Sequence, residues 1–324
     1  MRRLLRQGGS TLAVVSALCN SGVQAQAAID PNVAPRAAAL ERSGERQMAI
    51  DLLGRYLATA PDDGRAWFQL GRFYLLDARD WHLQGHRGDP DGLLYLDFAA
   101  TAFDQAVRLD VDSGAVYRGL AELERSVVLV EDSGWSIGGV SRRPADAPEV
   151  PGFIVELGAN LLSSCPAGGV LLVGTDLEAL SVWYDNRDLR TREILPIRSD
   201  RYATDSVYRR RMAEAMGIDP GLPVRNALAD VAARRPLCLT PTADSAAAPP
   251  VLWTPFRLTR VSQTVHAGLD ALSLTELLEA TRQGGSVWLQ DVRGVYDSAA
   301  RYNALLCSSL LLVFGDTPPP ACRP

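Results

Sequence analysis

The stretch at residues 46–76, RQMAIDLLGRYLATAPDDGRAWFQLGRFYLL, decides the first half of the fold. Apolar residues recur three and four positions apart on both sides of APDDG, which is helical periodicity. Proline and glycine then interrupt the run. The spacing predicts two helices joined by a short turn. The same texture covers residues 37–126, so a helical array is predicted over 30–130. Residues 77–97, including DARDWHLQGHRGDPDGLLYLD, are expected as a loop-like insertion in it.

Residues 131–151, EDSGWSIGGVSRRPADAPEVP, are rich in glycine and proline and predict a linker. Beyond it the pattern changes. Buried strands are predicted at 169–173, 193–197 and 236–240, alternating with helices at 177–184, 206–216 and 224–234. Such alternation implies a parallel sheet. LWTPFRLTRVS (252–262) predicts a strand or an extended arm, and two closing helices are expected near 274–283 and 287–314. The predicted class is therefore α + α/β, with the α/β unit and its C-terminal helices at 152–324.

The first residues, MRRLLRQGGSTLAVVSALCNSGVQAQA, combine an arginine-rich start, a short apolar stretch and small residues. That pattern predicts a secretory signal peptide over 1–27 and a periplasmic or secreted protein. No later segment approaches the roughly 18 apolar residues of a membrane helix. The chain has 324 residues and a net charge of −5, and arginine supplies all of its basic side chains. An acidic chain without a basic run is a poor nucleic-acid binder. After signal cleavage four cysteines remain, Cys165, Cys238, Cys307 and Cys322. An exported chain with four cysteines suggests two disulfides with three possible connectivities. The favoured one is Cys307–Cys322, which pins the proline-rich tail, leaving Cys165–Cys238. No CxxC pair suggests redox or zinc chemistry, and no cofactor is implied.

The helical half resembles the tetratricopeptide repeat. Trp67, Leu70, Gly71 and Tyr74 fall on its first-helix positions, and Ala99, Phe103 and Ala106 on its second-helix positions. Gly44, Ala49, Leu53 and Pro61 mark a preceding unit, and Tyr117, Leu120 and Ala121 a following one. The resemblance implies a concave groove lined by Arg65, Phe68, Arg72, Leu75, Arg118, Glu122 and Arg125. It implies a protein or peptide partner, with the arginines as two-pronged donors to carboxylates. The second half, about 155–315, is similar to the soluble domain of bacterial O-mannosyltransferase-like membrane proteins. The residues that carry this are GGVLLVGTDLEALSVWYDNRDLRTREILPI, RRPLCLTP and WTPFRLTRV. That family's membrane part is missing, so the resemblance implies architecture and an envelope or polysaccharide-assembly setting rather than glycosyl transfer.

Other candidate sites are weaker. Asp176 and Glu178 sit after the first strand, where open α/β sheets bind ligands. Thr175 and Glu178 also read as a capping box, and so do Ser273 and Glu276. His82 and His86, four apart, suggest a metal pair with Asp89 or Asp91. A catalytic triad would need His266, and no nucleophile motif accompanies it. The reading favours an exported, non-catalytic adaptor. The alternatives are a glycan-acting enzyme at Asp176 and Glu178 aided by Arg198 or Trp183, or a small-ligand binder in the same crevice.

Overall fold

The structure is a computed structural model that describes residues 30–84, 90–133, 149–184, 193–244, 248–264, 272–315 and 318–323. The expected signal peptide, His86, Asp89, His266 and most of the expected linker lie outside these residues. The first part comprises helices α1 (Val33–Arg42), α2 (Arg46–Leu57), α3 (Gly64–Leu83), α4 (Pro90–Arg108) and α5 (Ser113–Ser133).

The break at APDDG falls between α2 and α3. Asp63 caps α3, its carboxylate accepting from the amides of Arg65 at 3.0 Å and Ala66 at 3.1 Å. These are donors that a helix start leaves open. Trp67 closes the turn by donating to the Pro61 carbonyl at 2.7 Å. A Cβ on Gly71 would stand 2.7 Å from the Phe103 ring, so glycine sets how closely α3 and α4 approach. Ala99, Phe103 and Ala106 are all buried beneath this contact. The stretch expected as an insertion is largely helical: α3 runs on to Leu83 and α4 starts at Pro90.

The second part contains α6 (Gly152–Ser163), β1 (Val170–Val173), α7 (Asp176–Tyr184), β2 (Leu195–Arg198) and α8 (Ser199–Thr204). It continues with α9 (Ser206–Met216), α10 (Val224–Arg234), β3 (Leu237–Leu239), β4 (Thr254–Phe256) and β5 (Thr259–Val261). It closes with α11 (Thr275–Gln283), α12 (Trp288–Ala300), α13 (Leu305–Phe314) and a 3₁₀ turn at Pro320–Cys322. The strand order is β2-β1-β3-β5-β4. β1 lies parallel to β2 and β3, whereas β5 pairs antiparallel with both β3 and β4. The expected parallel sheet is thus a mixed one, and LWTPFRLTRVS is a hairpin rather than an arm. Both edge strands carry a proline, Pro196 and Pro255, which blunts pairing with another chain.

Every residue of β1 is buried. Val170 and Leu172 pack against α9 and α10, and Leu171 and Val173 face the opposite core. A continuous apolar run is what a strand covered on both faces requires. That opposite core does not stop at the sheet. It joins Leu171, Leu180 and Tyr296 to Leu75, Phe103 and Leu120, so the helical array and the α/β part share one apolar interior.

The helix expected over 287–314 is two helices. Between them Tyr302 donates to the Leu258 carbonyl at 2.5 Å and Asn303 to the Arg257 carbonyl at 2.9 Å. These side chains hold the β4–β5 hairpin tip, where Arg257 has a φ of 49°. The break follows from that tertiary anchoring, since neither glycine nor proline marks it. The disulfides are Cys165–Cys238 and Cys307–Cys322. Among the described residues no helix is long and apolar enough to cross a membrane.

Candidate functional site

Arg65, Phe68 and Arg72 form a strip along α3, spaced three and four residues apart. Arg65 is exposed and makes no ion pair among the described residues. Phe68 meets Tyr117 of α5 edge-on, with ring centroids 5.0 Å apart. Arg72 stands over the Tyr117 ring at 5.8 Å and approaches only the Gln69 amide oxygen, at 3.5 Å. Leu75, next along the same face, is buried in the shared core.

Arg118, Glu122 and Arg125 do not join that strip. Arg118 is buried, bonded to Asp104 at 3.1 Å and to Glu122. Arg125 pairs with Asp97 and lies 3.8 Å from Glu122. Asp97 and Asp104 belong to α4, so this face of α5 is a seam between neighbouring helices. From α5, Tyr117 and Glu124 reach α3, at Phe68 and Arg79.

Below Arg72 the strip gives way to ions. Arg79 of α3 bonds Glu124 at 3.1 Å and Asp176 of α7 at 3.0 Å. Arg198 at the end of β2 bonds Asp176 at 2.6 Å and Asp200 at 2.7 Å. Arg201 of α8 pairs with Glu124 in the interior. Burial alone would push the Glu124 carboxyl up, but Arg201 and Arg79 outweigh it and hold it at about 2. Burial likewise opposes ionisation of Asp176, and Arg79 and Arg198 still keep its carboxyl below the usual range. Both acids are locked in the charged form. A general acid or base instead titrates near the working pH, so Asp176 is built as an ionic tie between the two parts.

Glu178 is fully buried. Its carboxylate accepts from the Gly174 amide at 2.9 Å, the Thr240 hydroxyl at 2.5 Å and the Thr242 amide at 3.3 Å. Thr175 caps α7 as expected, accepting from the Glu178 amide at 3.3 Å, but Glu178 reaches one residue beyond the expected Thr175 amide. β1 is flanked by β2 on one side and β3 on the other, so the crevice between β1 and β3 is the switch point where such sheets bind ligands. Glu178 fills it with the protein's own carboxylate. A Cβ on Gly174 would come within 2.3 Å of the Thr242 backbone, so the loops themselves also meet there. Trp183 is buried rather than facing this crevice from outside.

The second expected capping box is also built differently. Ser273 does not cap α11; it donates to Glu156 of α6 at 2.7 Å. Glu156 accepts the Glu276 amide at 3.2 Å and the Leu277 amide at 3.0 Å, capping α11 from another helix.

Of the expected metal pair, His86 lies outside the described residues, among which no group of three or more His, Cys, Asp or Glu is placed to hold a metal ion. His82 is a buried residue of α3.

A cleft of about 490 Å³ lies where the array meets the α/β part, between α5 and α12 and bordered by the strand-end loops. Tyr117 and Trp288 form its aromatic wall, with ring centroids 5.8 Å apart. Leu120 and Val295 add apolar surface, and Asp176 and Asp291 add carboxylates. The sequence offered no local signal for this cleft, because its walls come from segments more than 100 residues apart.

Residues 34–73 match the tetratricopeptide repeat. The match spans α1, α2 and the first half of α3, one unit before the positions that Trp67 to Ala106 suggested. Neither the curated proteins nor the solved structures contain a match to this chain.

Proposed function

We propose that the chain is a non-catalytic adaptor that binds a protein partner along the partly exposed strip of α3, from Arg65 through Phe68 to Arg72. The observation that carries this reading is the tetratricopeptide match over 34–73 joined to a strip whose two arginines form no ion pair with an acid among the described residues. Unpaired guanidiniums beside an aromatic ring suit a carboxylate-bearing segment, each guanidinium offering a planar set of donors. The arginines of α5 have no such freedom, so the groove is narrower than the repeat alone implies.

The strand-end acids speak against the enzyme reading. Asp176 is neutralised by two arginines and Glu178 is consumed by three internal donors. Export to the periplasm or beyond is supported by the N-terminal pattern and by the two disulfides. A role in envelope or polysaccharide assembly rests on the resemblance of the C-terminal half.

The test is capture of partners from an envelope extract on the immobilised chain lacking residues 1–27. A parallel sample carries Arg65→Ala and Arg72→Ala. A protein captured by the wild type and lost by the variant supports the reading. Identical captured sets, or none, would overturn it.

A further inference from the structure

The cleft between α5 and α12 has a chemistry of its own. Two carboxylates line it, Asp176 and Asp291, and none of its lining residues is basic. Asp176 is satisfied, each oxygen holding one arginine. Those arginines belong to a network that balances internally, because Arg79, Arg198 and Arg201 face Glu124, Asp176 and Asp200. Asp291, exposed in the first turn of α12, has no partner among the described residues. Of the two described carboxylates of the lining, it is the one without an arginine on it.

The aromatic wall points the same way. Tyr117 and Trp288 stand side by side, and Arg72 already rests over the Tyr117 ring from outside the cleft. Aromatic faces attract guanidinium and ammonium groups through the ring quadrupole. Leu120 and Val295 supply surface for the aliphatic stem of such a side chain. An anion entering here would meet the uncompensated Asp291 and no basic side chain among the described lining residues. At about 490 Å³ the cleft has the size of a pocket for a side chain and its flanking residues, not for a folded domain.

We infer that this cleft receives an arginine or lysine side chain presented by the partner polypeptide, with Asp291 as its counter-ion and Tyr117 and Trp288 as its wall. The inference rests on the adaptor reading and deepens it. The partner would carry acidic groups for the Arg65–Arg72 strip and a basic residue for the cleft.

Calorimetric titration of the chain tests this with three probes. They are a capped pentapeptide with arginine at its centre between leucines and alanines, the same peptide with glutamate there, and methyl glucoside. The arginine peptide is expected to bind at least tenfold more tightly than the glutamate peptide. Asp291→Asn should weaken it about tenfold, the loss of one charge-assisted contact, with the thermal melt unchanged. Absence of arginine-peptide binding, equal binding by the glutamate peptide, or equal affinity in Asp291→Asn would overturn the inference. So would saturation by methyl glucoside that competes at the same site, which would make this a sugar cleft. If partner capture through Arg65 and Arg72 persists while the peptide fails, the cleft inference fails alone. If capture fails as well, the adaptor reading falls with it.

Discussion

Glu124 of α5 and Arg201 of α8 lie 77 residues apart in the chain and meet as a buried ion pair, with Arg79 of α3 on the same carboxylate. The pair joins the helical array to the α/β part. Removing one member of a buried pair leaves the other charge uncompensated. Glu124→Gln is expected to destabilise the protein by roughly 3–5 kcal/mol in denaturant unfolding. A cost below about 1 kcal/mol would show that the pair is not a structural tie.

The same carboxyl sets an acid limit. Its folded value of about 2 lies below the ordinary 4.5, so its contribution is complete above about 4.5 and is lost as pH falls towards 2. Asp176, also depressed, acts in the same direction. Unfolding free energy should therefore fall steeply between those pH values. In Glu124→Gln the slope should be shallower, and an identical slope would contradict the assignment.

Glu178 fills the switch-point crevice, so removing its carboxylate should leave an anion-shaped vacancy. Glu178→Ala should cost at least about 2 kcal/mol by stranding the Gly174 and Thr242 amides and the Thr240 hydroxyl. Formate should restore part of that stability in a saturable way, while chloride should not. Equal effects of both salts would count against a specific carboxylate nest.

Glu156 and Ser273 offer a direct contrast. If α11 is capped from α6, Glu156→Ala should lower stability by about 2 kcal/mol and Ser273→Ala by less than about 1 kcal/mol. The opposite ranking would restore the local capping box that the sequence suggests.

The two disulfides close loops of different length, with sequence separations of 73 for Cys165–Cys238 and 15 for Cys307–Cys322. Loop-closure entropy predicts losses of about 4 and about 3 kcal/mol when each pair is replaced by alanine. Thermal melts of the two double variants would check the order.

Local chemistry made much of this fold readable. Periodicity placed α9 and α10 at their observed bounds, because each amphipathic run has an unambiguous stop: Gly217 in a left-handed conformation after one, Pro236 beyond the other. The repeat positions around Gly71 and Phe103 were visible because close helix approach demands small and large residues at fixed spacing. The hairpin and the break at Asn303 were not visible, since each exists only by holding the other. The site was less legible still. The face of α5 that meets α3 carries Tyr117, one position from the expected Arg118, because helical spacing alone does not say which neighbour a face will meet. Glu124–Arg201 and Tyr117–Trp288 join residues that no motif links.

Binding of a partner through the α3 strip is read out by the captured partner's affinity for the wild type, for Arg65→Ala with Arg72→Ala, and for Arg125→Ala as a control on the α4–α5 seam. At least a tenfold loss is expected for the double variant and less than a twofold change for the control. Equal affinity for the wild type and the double variant would contradict it.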